Sequence, residues 1–177
     1  MARLVLIAAL LAATPGADEH LLAGARHFRA GEFPQALVEF RVAEKLGSGE
    51  ASWYAAASLV KLARPEEAIE AFAQAEKTAP AARDALLDYY RALACYGARL
   101  YLCADKLLAQ VGDRSGPRIA GQVRQTREKI AALFAAPPKQ GAIDWYREKA
   151  AVARAAKRPA LSAAYREEAQ ALAARMK

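Results

Sequence analysis

One stretch of this chain repeats itself. When His20–Leu46 is read against Ser52–Pro80 at a shift of 32 residues, Ala36 falls on Ala68, Leu37 on Ile69, Phe40 on Phe72 and Ala43 on Ala75. Glu44 and Lys45 fall on Glu76 and Lys77, and Gly24 meets Ala56, both small. Pro34 and Pro65 lie one residue out of register, each where a second helix would start. Proline is favoured there because the amide it lacks would be unpaired anyway. A period in this range means one supersecondary unit, too small to bury its own apolar face, that must stack on copies of itself. The residues between the matches are rich in Ala, Leu, Glu, Arg, Lys and Gln, the strongest helix formers. The unit is therefore a helical hairpin, and the 55% hydrophobic content owes much to alanine.

These residues resemble the tetratricopeptide repeat. Gly24 and Ala56 match its small residue in the first helix. Ala36 with Phe40, and Ala68 with Phe72, match the alanine and aromatic of the second. Ala43, Ala75 and Pro80 match the later alanines and the closing proline. The resemblance implies an all-α solenoid of helical hairpins, here about nine helices including a C-terminal helical extension. A third unit is degenerate. Leu86, Tyr89, Tyr90 and Leu93 form a helical stripe, and Gly97 stands where Gly31 stands. Ala104, Leu108 and Val111 fit the second helix only with two residues inserted. Pro117 opens a long helix that Pro137-Pro138 ends. A last pair, with Pro159 at its turn and Trp145 and Tyr165 in the family's spacing, is a weak fourth repeat or a capping hairpin. The organisation expected is a signal peptide over 1–17, a repeat domain over 18–113 and a basic helical extension over 114–177.

The N-terminal assignment rests on order. Arg3 is followed by an uncharged apolar run, Leu4–Ala13, then small residues, Pro15 and Asp18-Glu19. That is the anatomy of a secretory signal, and the run is too short to span a bilayer. The expectation is export to the periplasm or beyond, with a buried N-terminal helix as the alternative. Charge is uneven. Residues 1–113 hold 12 Lys/Arg and 14 Asp/Glu, whereas residues 114–177 hold 14 and 5. The basic end suits an anionic polymer or membrane surface, or is simply a solvated helix face.

Motifs for catalysis are missing: no Gly-rich phosphate loop, no G-x-S-x-G and no H-E-x-x-H. His20 and His27 lie two turns apart on one helix, too far to share a metal ion. His27 is expected at the edge of the seam between paired helices, and His20 in a loop or first turn. No cofactor is expected, and nucleic acid is not expected as a partner. Cys95 and Cys103 could not bond within one continuous helix. A turn at Gly97 brings them closer, which leaves a disulfide and two buried thiols both open.

The resemblance implies a binding groove lined by the first helices. Spacing from the small residues places Leu21, Phe28, Trp53, Lys61, Leu87 and Arg91 on it. Such a groove suits a peptide or partner protein of some acidic character. Phe28 and Trp53 could instead pack against neighbours. The function expected is a non-enzymatic scaffold binding a protein partner. The alternative is a basic module docking on an anionic surface through residues 114–177.

Overall fold

In a computed structural model, residues 16–114 and 116–176 are described. Among them the chain is all-helical: α1 (Ala17–Ala30), α2 (Phe33–Lys45), α3 (Gly49–Lys61), α4 (Pro65–Thr78), α5 (Ala85–Gly97), α6 (Tyr101–Val111), α7 (Pro117–Leu133), α8 (Gln140–Ala155) and α9 (Pro159–Ala174). Single 3-10 turns follow α4 and α6. The charged-apolar-small segment read as a signal lies almost wholly outside the described residues. No helix among the described residues is long and apolar enough to cross a membrane.

Four hairpins (α1–α2, α3–α4, α5–α6 and α8–α9) close through one and the same turn. Just past each first helix a residue takes up the left-handed conformation: Gly31 (φ 81°), Ala63 (56°), Arg99 (64°) and Lys157 (55°). The amide that follows reaches back into the last helical turn. Glu32 donates to His27 at 2.9 Å, Arg64 to Leu59 at 2.9 Å, Leu100 to Cys95 at 2.8 Å and Arg158 to Ala153 at 2.9 Å. Each left-handed residue also donates to the third residue before it, completing a Schellman motif that satisfies carbonyls the helix would leave orphaned.

Counting from this turn puts the hairpins in common register. Gly24, Ala56, Ala92 and Ala150 lie the same distance before it, and Ala36, Ala68, Ala104 and Ser162 the same distance after it. All are buried, and where the two sets meet the helices approach closely. In the last hairpin Ser162 Oγ donates to the Ala150 carbonyl at 2.8 Å. In the first, a Cβ on Gly24 would lie 2.6 Å from the Phe40 ring. Arg99, not Gly97, is thus the counterpart of Gly31, and with that correction the two-residue insertion in the third unit disappears. Gly97 ends α5 and is small for another reason: a Cβ there would come within 2.9 Å of Pro65.

The hairpins stack in chain order, with α2 on α3 and α4 on α5, and the first helices α1, α3 and α5 in contact along one face. The third hairpin carries the Cys95–Cys103 disulfide, its Cα atoms 6.1 Å apart across the turn, within the span a disulfide bridges.

The last hairpin does not continue the row. It folds back so that α9 lies on α4 and α6, the second helices of the middle hairpins. Carboxylates fix it there. Glu168 of α9 is buried and accepts the amides of Leu102 (2.7 Å) and Cys103 (3.0 Å), capping α6, whose own Ncap residue Leu100 has no side chain to do so. Glu70 of α4 returns the arrangement, accepting the Leu161 amide in the first turn of α9 at 2.7 Å. Glu66 accepts the Tyr165 hydroxyl (2.9 Å) and Arg158 (3.0 Å). Burial pushes the Glu168 carboxyl above the usual carboxylate range, opposed by the backbone amides that bind its charged form.

Left-handed backbone at a non-glycine residue costs about 1–2 kcal/mol, of which glycine's extra freedom in the unfolded chain gives back about 0.5–1. Ala63→Gly is therefore expected to raise stability by about 1 kcal/mol, a gain of about 2–4 °C in Tm for a chain of this size. Ala68→Gly, in the helix five residues on, is expected to lower it. Thermal melts of both variants check this, and a loss of stability in Ala63→Gly would contradict the assigned turn.

Candidate functional site

The face formed by the first helices carries an aromatic cluster assembled from three hairpins. Phe28 stands in the last turn of α1, and the tight turn at Gly31 brings Phe33, the first residue of α2, back against it. Their rings meet edge-on with centroids 5.3 Å apart. Tyr90 of α5 reaches Phe28 from the third hairpin, also edge-on, at 5.8 Å. Lys61, at the end of α3, holds its ammonium 5.6 Å from the ring centroids of both Phe33 and Tyr90. Phe28, Phe33 and Tyr90 are half-buried and Lys61 is exposed, so the cluster presents ring surface and a cation to solvent. Burial raises the Tyr90 hydroxyl, helped by Tyr89 and opposed by the Arg118 charge. Tyr54 nearby is raised by burial and by Glu50 and Asp84, and lowered by Arg29. The Tyr54 and Tyr90 hydroxyls therefore stay neutral.

The six residues expected on this face separate. Phe28 and Lys61 are brought together. Leu21 is half-buried against the small core of the first hairpin, around Ala36 and Phe40. Trp53 and Leu87 are fully buried, so the expectation that they line an open groove is corrected. Trp53 donates its indole N–H to the Ala79 carbonyl at 2.8 Å and packs on Phe72, closing the α3–α4 hairpin. Helix geometry accounts for it: Trp53 lies about 60° around α3 from Ala56, turned toward the seam, whereas Lys61 lies about 140° away and faces out. Arg91 is corrected too. It points off the opposite flank of α5 to pair with Glu76 of α4 at 2.9 Å. There it lines a cleft of about 590 Å³ against α4, α6 and α9, beside the disulfide and Glu168. Phe33 and Tyr90, absent from the expected set, take the places of Trp53 and Arg91. Tyr90 was accessible to reasoning, since it faces directly away from Ala92, the close-approach residue of its hairpin.

His20 stands in the first turn of α1, as expected, with its Nδ1 2.6 Å from Glu39 of α2. His27, expected at the edge of the seam, instead meets Glu32 of the turn at 2.6 Å at the surface. Among the described residues no group of three or more His, Cys, Asp or Glu side chains is placed to hold a metal ion. Compared with known proteins, the chain matches no family model, no curated protein and no solved structure.

With Trp53 in the core, Trp53→Ala is expected to cost about 3–5 kcal/mol of stability. Lys61→Ala, at an exposed position, is expected to stay within about 1 kcal/mol of the parent. Urea unfolding measures both, and equal midpoints for the two variants would contradict this placement.

Proposed function

We propose that the chain is a non-enzymatic interaction module, a tetratricopeptide-type solenoid of the cell envelope that binds an acidic peptide or partner segment on the face of its first helices. The observation that carries this reading is the Phe28–Phe33–Tyr90 cluster with Lys61 poised above it. Half-buried aromatic rings from two hairpins, packed on one another, offer contact area that loses little conformational freedom on binding, the property that makes such residues binding anchors. Lys61 adds a carboxylate-binding group at the centre of the patch. The repeat pattern at Gly24, Ala36, Phe40 and their counterparts supports the family reading, and with it the use of this face. Export is supported by the charged-apolar-small order of residues 1–17, and the Cys95–Cys103 disulfide suits an oxidising compartment.

A second reading has its own observation, the surplus of 14 basic over 5 acidic residues in 114–177. It assigns binding of an anionic surface to the exposed Arg147, Arg154 and their neighbours. The two readings diverge under mutation. With a partner captured from envelope extract, Tyr90→Ala is expected to weaken binding by about 2 kcal/mol, roughly 30-fold, and Lys61→Glu to weaken it in the same direction. Charge reversal at Arg147, Lys149 and Arg154 is expected to leave the affinity within a few-fold. A titration by calorimetry, with melts confirming that each variant is folded, decides. Full-strength binding by folded Tyr90→Ala and Lys61→Glu, with loss in the basic-tail variant, would overturn the proposal in favour of the surface-docking reading.

A further inference from the structure

Among the described residues, helix α7 is the one long helix outside the four closed hairpins. It packs on α6 and on the turn before it, with a further tie from Tyr89 of α5 to Gln122 at 3.2 Å. The chain then breaks at Pro137-Pro138, and the next helix, α8, pairs with α9 instead. Over 17 residues α7 buries only Val123 and Ile130. In chain order α7 holds the place of a first helix whose second helix never follows.

The consequence is an open groove of about 630 Å³ running along α7 between it and α6, with Arg175, just past α9, also lining it. Positions 120, 123, 124, 127, 130, 131 and 134 all face it, the spacing of a single helical stripe about four turns long. Its floor is apolar, with Val123, Ile130 and Phe134, and alanines on the α7 wall permit close approach. Its rim is cationic. Arg124 has no hydrogen-bond or ion-pair partner among the described residues. Arg127 is tied to Asp105 at 2.7 Å. The Arg175 guanidinium stacks 5.0 Å over the Phe134 ring. Against these three arginines stand Asp105, already engaged, and Glu128.

We propose that this groove receives an amphipathic, acidic helix from a partner protein, which pairs with α7 as the missing second helix of a fifth hairpin. The apolar stripe supplies the seam, the alanines supply the close approach that Ala56 and Ala92 supply on the first helices of the closed hairpins, and the arginine rim selects carboxylates along the incoming flanks. The site is separate from the aromatic face around Lys61, so the proposal goes beyond the reading given for that face.

The test uses the full chain and a labelled synthetic helix of about four turns, with Leu at i, i+3, i+4 and i+7 spacing and Glu on both flanks, beside a version carrying Gln for each Glu. Fluorescence anisotropy at low salt is expected to show saturable binding of the Glu peptide, about tenfold or more tighter than the Gln peptide. Arg124→Glu, at an exposed side chain with no partner to lose, is expected to weaken the Glu peptide about tenfold, and Lys61→Glu to leave it unchanged. Absence of saturable binding, equal binding of the two peptides, or a loss caused by Lys61→Glu but not Arg124→Glu would overturn the proposal. Arg124-dependent self-association of the peptide-free chain in sedimentation would overturn it by assigning the groove to a second copy. Arg124-dependent binding to phosphatidylglycerol vesicles without binding of the peptide would overturn it by assigning the rim to a membrane.

Discussion

The carboxylate of Glu168, buried against the first turn of α6, is the contact on which the arrangement of the second half depends. Helix N-termini leave their first amides without partners, and α6 begins at Leu100-Tyr101 with nothing local to accept them. Glu168 accepts two of these amides from 65 and 66 residues away, and Glu70 does the same for α9 in the opposite direction. A buried carboxylate without donors would be strongly destabilising, so Glu168 and the α6 N-terminus each satisfy the other's demand. The exchange fixes the direction in which the last hairpin folds. With α9 laid across α4 and α6, the second helices of the middle hairpins are covered, while among the described residues the face of the first helices and the flank of α7 stay open.

Beneath this long-range contact lies a short-range one, the left-handed turn. A turn of fixed geometry fixes the phase of the two helices it joins, and so fixes which residues meet at their closest point. Gly24, Ala56, Ala92 and Ala150 on the first helices and Ala36, Ala68, Ala104 and Ser162 on the second are all small and buried in this common register, and the close approach shows in the Ser162–Ala150 hydrogen bond and in the Phe40 ring against Gly24. The aromatic cluster follows from the same device. The turn at Gly31 returns Phe33 to Phe28, and the stacking of like-phased hairpins then brings Lys61 and Tyr90 to that point.

Much of the hairpin content was legible in the sequence, because it is written in residues with few other uses. The Ala36/Ala68 and Phe40/Phe72 matches and the prolines at helix starts mark the first two hairpins in the sequence alone. The turn itself was legible only at Gly31. Ala63, Arg99 and Lys157 adopt a left-handed backbone that nothing in their identity announces, and Gly97 drew the third hairpin out of register. The candidate face was half legible: Phe28 and Lys61 followed from spacing, but Trp53 stands only about 60° around α3 from Ala56 and turns into the seam. The docking of α9 was not legible, because it depends on Glu66, Glu70 and Glu168 meeting amides and side chains that are remote in sequence, and their surface-like appearance in a helical pattern conceals it.

The central claim is that the C-terminal hairpin is held on α4 and α6 by reciprocal carboxylate caps, leaving the other faces free to bind. Native-state hydrogen exchange tests it most directly. Amides in the first turn of a helix ordinarily exchange by local fraying, at little free-energy cost. The account predicts that the Leu102, Cys103 and Leu161 amides exchange only with global unfolding, as slowly as the helix interiors, and that Glu168→Ala releases Leu102 and Cys103 selectively. Fast exchange of all three amides in the unmodified protein, while the interiors of α6 and α9 stay protected, would contradict it.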